Sequence, residues 1–199
     1  MPHDPLITFL TDFADQAVML PVVLVVAIAL AVTGWRRGAQ AWFGVVAVTF
    51  AAVLAVKFGA LACRPVFGPY EIESPSGHTA AAAVVAGGLA ALLTGRRSPA
   101  VAVALGAAVA IGLTRLMLGF HSLPEVLIGA LLGLVGAAVV ARYAGPPPAR
   151  RPVWLLPATV IVALLLHGLR LPAEAAIRHA SWQALDFVPA CRVHHQTRP

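Results

Sequence analysis

Thr114-Arg-Leu-Met-Leu-Gly-Phe-His-Ser-Leu-Pro-Glu125 lies between two long apolar runs, yet it carries an arginine, a histidine and a glutamate. Ionisable groups at the edge of a hydrocarbon layer are costly, and a chain that places three of them there needs a reason. That the flanking runs are membrane spans follows from composition. Of the 199 residues, 60% are hydrophobic and 11% charged, and the mean hydropathy is +0.87. A soluble domain carries roughly 25% charged residues, so this chain lacks the polar surface to live in water. The fold class implied is all-α: a polytopic bundle of about six transmembrane helices forming one domain over residues 1–199.

Working outward, the fourth and fifth runs (residues 99–118 and 124–143) flank that stretch. Before them lie runs at 17–35, 41–56 and 78–94, the second continuing helically to Cys63. A sixth follows at 153–169. A helix of about 20 residues crosses roughly 30 Å of hydrocarbon, which each run approaches. Glycines crowd the third to fifth runs (Gly87, Gly88, Gly106, Gly129, Gly133, Gly136), and small residues let helix backbones approach where apolar burial gives little drive. Residues 1–16 read as a short polar head, and 171–199 as a polar tail. In that tail His179, His194 and His195 match no standard metal spacing, so a solvated segment is expected.

Charge gives the topology. The formal charge of +6 comes without any block of five like charges, which excludes a nucleic-acid footprint. Arg36 and Arg37, Arg96 and Arg97, and Arg142, Arg150 and Arg151 occupy alternate loops, and the positive-inside rule puts these in the cytoplasm. Both termini and the three unusual clusters then share the outer face of the cytoplasmic (inner) membrane. Met1-Pro-His-Asp-Pro lacks a basic leader, so the first span is expected to serve as the targeting signal. Cys63 and Cys191 fall on the outer side, where an oxidising compartment permits a disulfide, though nothing in the sequence brings the sulfurs together.

Three clusters carry candidate chemistry. Lys57 and Arg64 are seven residues apart, about 700° of helical turn, and so point the same way. They either snorkel to lipid headgroups or hold an anion between them. Ser74-Pro-Ser-Gly-His78 opens an alanine-rich helix, whose free N–H groups favour an anion such as phosphate. Ser76 would cap that helix in any case, Gly77 permits close backbone approach, and His78 is not needed for capping. In the third cluster Arg115 precedes His121 by six residues, and Glu125 follows it by four. A carboxylate there can hold an imidazole tautomer and leave the other nitrogen free to attack; the plainer reading is a lone interfacial ion pair. Together they supply three cations, two histidines and a carboxylate for metal-independent phosphoryl transfer.

Lys57-x6-Arg64-Pro65, Pro75-Ser-Gly-His78 and Thr114-Arg115-x5-His121-x3-Glu125 resemble, in order and spacing, the three signature motifs of the type 2 phosphatidic acid phosphatase superfamily, which also includes vanadium haloperoxidases. The matching region covers about residues 57–129. The resemblance implies that His121 is the nucleophile, that Glu125 orients it and that His78 is the general acid. It implies that Lys57, Arg64, Ser76, the Gly77 amide and Arg115 hold the phosphate oxygens. Two positions depart from the usual pattern: Thr114 stands where serine is usual, and Glu125 where aspartate is usual. Thr114 keeps the hydroxyl, whereas Glu125, one methylene longer, must reach His121 differently.

The function implied is a membrane phosphatase that hydrolyses a lipid phosphate or diphosphate through a phosphohistidine, with no cofactor and no metal. Its partners would be the lipid phosphate substrate and membrane lipids, with no nucleic acid; the oligomeric state and the particular lipid stay open. Other readings are a lipid phosphotransferase using an acceptor other than water, and an anion or lipid transporter using the same cationic pocket. The transporter would leave both histidines and Glu125 unexplained.

Overall fold

A computed structural model describes residues 4–62, 72–148, 152–172, 175–177 and 179–180. The described residues form helices α1 (Pro5–Asp12), α2 (Gln16–Val32), α3 (Arg36–Ala62), α4 (Gly77–Thr94), α5 (Arg97–Met117), α6 (Leu123–Tyr143) and α7 (Leu155–Leu166). Arg64, Cys63 and Cys191, His194 and His195, and most of the tail lie outside the described residues.

Among these residues, five segments are long and apolar enough to cross a membrane: Pro5–Val32, Arg36–Leu61, Gly77–Thr94, Arg97–Met117 and Leu123–Tyr143. The protein is therefore an all-helical, multi-pass membrane protein. At the place of the expected sixth run stands α7, a shorter apolar helix of 12 residues. At 1.5 Å per residue it reaches only about 18 Å, less than the hydrocarbon thickness. Even so, α7 links the two ends of the bundle. Its first residue, Leu155, is buried in a core with Leu30, Trp42, Val140 and Ala144. Just beyond its last turn, His167 Nε2 meets the Phe9 carbonyl at 2.9 Å.

Helix α4 is the centre of the bundle. In its span 67% of residues are buried, against 28–39% for the other four. Its Ala- and Gly-rich sequence explains this, because only small side chains let three neighbours close on one helix. A methyl placed on Gly87 would lie 2.6 Å from the Cβ atoms of both Ala104 of α5 and Ala137 of α6. A methyl on Gly133 of α6 would lie 2.7 Å from the Ala80 carbonyl oxygen. The outer helices α2 and α3 pack through larger groups. Trp42 is fully buried there, with its indole N–H donated to the Val23 carbonyl at 2.9 Å, as a buried indole requires.

The arginine-bearing loops meet at one end, where Arg37 Nε donates to the Tyr143 carbonyl at 3.0 Å and Pro147 lies against Gly95. The C-terminal ends of α3 and α5 and the N-terminal ends of α4 and α6 lie at the other end. The head is not merely a polar extension: in and just after α1, Thr11, Asp12 and Asp15 are buried.

The closest helix approach at that second end involves Gly129, whose Cβ would overlap the carbonyl oxygen of Ser76. Gly129→Ala is therefore expected to lower stability by about 1–3 kcal/mol, the usual cost of overpacking. At Gly106, by contrast, an added methyl would meet nothing within 4 Å. Alanine is expected to be tolerated there, with unchanged or raised stability. Thermal unfolding of both variants in one detergent checks the contrast.

Candidate active site

A cavity of about 700 Å³ opens at the end of the bundle away from the arginine loops. Lys57 of α3, Gly77 and His78 of α4, Arg115 of α5, and His121 and Glu125 at the start of α6 all line it. Residues from both ends of the three motifs, Lys57 and Glu125 among them, thus meet in one place.

The turn between α5 and α6 sets the third motif. Phe120 N–H donates to the Arg115 carbonyl at 3.1 Å and Gly119 N–H to the Leu116 carbonyl at 3.0 Å. These are the two bonds of a Schellman ending, with Gly119 at φ +66° in the left-handed position that it requires. The turn folds the Phe120 ring under the Arg115 guanidinium, 4.5 Å from the ring centroid, a cation–π arrangement. Arg115 Nη1 also approaches Thr11 Oγ1 of α1 at 3.4 Å.

Glu125 joins the second and third motifs. One carboxylate oxygen, Oε2, faces His121 Nδ1 at 2.9 Å and accepts from the Ser122 amide at 3.1 Å. The other, Oε1, accepts from the Glu73 amide at 2.8 Å and also from the Ser74 amide. The Glu125 carbonyl in turn accepts from the Ser76 amide at 3.0 Å. A carboxylate only accepts, so the histidine nitrogen facing it carries the proton, and Nε2 of His121 is left with its lone pair. Glu125 thus reaches the His121 ring although it is one methylene longer than aspartate. Its extra methylene suits the third position of α6, from which it reaches back to the helix start.

Lys57 is buried at 4% exposure, and its Nζ donates to Ser74 Oγ at 2.8 Å. Gly77 leaves room beside it: a Cβ there would come within 3.2 Å of Gln16 Nε2 and 3.7 Å of Lys57 Cε. Ser76 is placed differently from the expectation that it holds phosphate. Its side chain is fully buried, off the cavity lining, and its hydroxyl pairs with Thr79 Oγ1 at 2.8 Å. It acts as the helix cap. Ser74, two residues earlier, lines the cavity instead. Arg64, expected in the same cluster, lies outside the described residues.

Several lining residues went unread in the sequence. Asp15 and Gln16 come from the junction of α1 and α2, and Leu171 and Ile177 from the start of the tail. Leu171 and Ile177 reach the cavity rim, while the other described tail residues are exposed. Asp15 gave one signal: an acidic residue directly before an apolar run.

The geometry defines the class: a multi-pass membrane protein with an open pocket, lined by Lys57, Arg115 and two histidines, around a carboxylate-held imidazole. Residues 58–147 match the model of the PAP2 superfamily, the family that the three motifs resemble. No curated protein matches the chain, and no solved structure does. Members of that superfamily generally hydrolyse phosphate esters, so the match suggests a phosphatase-type activity.

Glu125→Gln replaces one acceptor oxygen with an NH2 that must face either His121 or two backbone N–H groups. Leaving buried donors unsatisfied costs about 1–3 kcal/mol each. Glu125→Gln is accordingly expected to lower both thermal stability and phosphate release, the latter by about 100-fold or more. Glu125→Asp keeps the charge and is expected to lose much less. Equal losses for the two would show that the charge is not what His121 requires.

Proposed function

We propose that the protein is a lipid phosphatase that works through a phosphohistidine on His121. The observation that supports this most is the convergence of Lys57, Arg115 and His78 on one cavity with the His121–Glu125 pair. The same cavity is lined by Leu61, Phe120, Leu171 and Ile177, an apolar side suited to the first carbons of a lipid whose phosphate lies among the cations.

In the proposed reaction the Nε2 lone pair of His121 attacks phosphorus in line with the lipid oxygen. The P–O bond breaks, its electron pair leaves on that oxygen, and His78 supplies the proton that makes it an alcohol. Glu125 stabilises the positive imidazole ring of the phosphohistidine through Nδ1–H. Lys57 and Arg115 neutralise the charge that builds on the equatorial oxygens, where one lost donor typically costs about 100- to 1000-fold in rate. In the second half His78, now neutral, takes a proton from water as its oxygen bonds to phosphorus. The P–N bond breaks, its pair returns to Nε2, and inorganic phosphate leaves. For a lipid diphosphate the leaving group in the first step is the lipid monophosphate, and the other steps are unchanged.

The cavity lies at the end opposite Arg37, Arg96 and Arg142. With those arginines in the cytoplasm, the reaction takes place at the outer face of the cytoplasmic membrane.

Phosphate release by purified protein, from phosphatidic acid and an isoprenyl diphosphate without added acceptor, tests the activity. His121→Ala is expected to reduce release to background and His78→Ala to reduce it by about 100-fold or more. Full activity in His121→Ala overturns the mechanism, and release that depends on an added alcohol favours the phosphotransferase reading. For orientation, a cysteine at Arg96 is expected to resist an impermeant thiol reagent in intact cells. Labelling from outside would reverse the topology.

A further inference from the structure

Asp15 divides its two carboxylate oxygens between two tasks. Oδ1 accepts from the Ala17 amide at 2.8 Å, capping α2, and from the Leu171 amide at 3.2 Å. Oδ2 faces His78, 3.7 Å from Nε2. Capping does not call for a charge, because asparagine and serine cap as well as aspartate. A carboxylate whose side chain is only 9% exposed, inside a membrane protein, is costly unless something uses its charge. His78 is the group that Oδ2 faces.

The position of that carboxylate is enforced from three sides. Arg170 grips the nearby Asp12 with a fork, Nε to Oδ1 at 3.1 Å and Nη2 to Oδ2 at 2.9 Å. The His167 ring lies against Phe9 and Phe13, with centroids 4.3 and 4.4 Å away. With the Leu171 bond, residues 167–171 run along the α1–α2 junction and hold Asp15 against the cavity. Asp15 lies outside the segment matched by the superfamily model.

We propose that Asp15 is a positioning residue for His78, its Oδ2 charge favouring the imidazolium and keeping the ring turned toward the cavity both residues line. This rests on the phosphatase reading, in which His78 protonates the departing lipid oxygen. A separation of 3.7 Å is an ion-pair distance and too long for a hydrogen bond. The carboxylate therefore supports the charge without holding the proton, which stays deliverable to the leaving oxygen. The proton lost by His78 in the first half-reaction is regained from water in the second, and Asp15 stays ionised throughout.

The test compares two probes with purified full-length protein: dioctanoyl phosphatidic acid, whose alkoxide must be protonated to leave, and p-nitrophenyl phosphate, whose phenolate leaves without a proton. Asp15→Asn keeps an oxygen for the Ala17 and Leu171 amides and removes the charge. It is expected to lower kcat/KM, which reports the step in which the leaving group departs, by about 10- to 100-fold on phosphatidic acid, the usual range for losing a group that supports another. On the nitrophenyl ester it should change kcat/KM by less than threefold, as should Asp15→Ser, a second uncharged cap. His78→Ala should show the same selectivity in kcat/KM, while its loss of the base for the second half-reaction lowers kcat on both probes. On either probe, Asp15→Asn/His78→Ala should be no slower than His78→Ala alone. Equal losses on both probes, or a further multiplicative loss in the double variant, overturn the assignment and leave the phosphatase reading intact. Wild-type protein that releases phosphate from neither probe overturns the phosphatase reading and this assignment with it.

Discussion

The carboxylate of Glu125 is the point on which the site depends. It accepts at once from His121, from the Ser122 amide and from the amides of Glu73 and Ser74. Without it, four donors at the buried end of a helical bundle would have to find other partners, and unsatisfied groups there are expensive. The same residue sets the tautomer of the histidine and ties the loop before α4 to the start of α6. Stability and chemistry therefore draw on one group, and a longer side chain than aspartate is accommodated because the loop amides come to meet it.

Close packing around α4 makes that bridge possible. Gly129 lets the start of α6 approach Ser76, and the Ser76 amide donates to the Glu125 carbonyl. Gly87 and Gly133 continue the approach along the bundle. In a membrane, helices gain little from burying apolar surface against one another, so van der Waals contact between small residues and buried hydrogen bonds hold the arrangement. The larger, lipid-facing side chains on α2, α5 and α6 (Leu24, Ile28, Val109, Leu113, Leu127 and Leu131) remain exposed at the surface, as the surrounding hydrocarbon permits.

A second layer of polar contacts comes from outside the three motifs. Thr11 reaches Arg115, Asp15 faces His78, and residues 167–171 fasten the α1–α2 junction. Residues 11–15 and 167–171 thus border the site that the central helices form. Electrostatic interactions between such groups strengthen where protein replaces water beside them.

The helices and the three motifs were legible in the sequence because both signals are local. Apolar runs near membrane length stand out by composition, and charged residues beside them stand out because their burial is costly. The expected boundaries of the third, fourth and fifth runs fall within two residues of α4, α5 and α6. His121 and Glu125 form a pair one helical turn apart, which spacing alone suggests. Other features depended on how the helices pack. Ser74 lines the cavity and Ser76 does not, because the Ser76 hydroxyl turns inward to Thr79 and caps α4. The contact of Asp15 with Leu171 joins residues 156 positions apart. No periodicity encodes such a contact, because it exists only once α2 and α7 lie side by side.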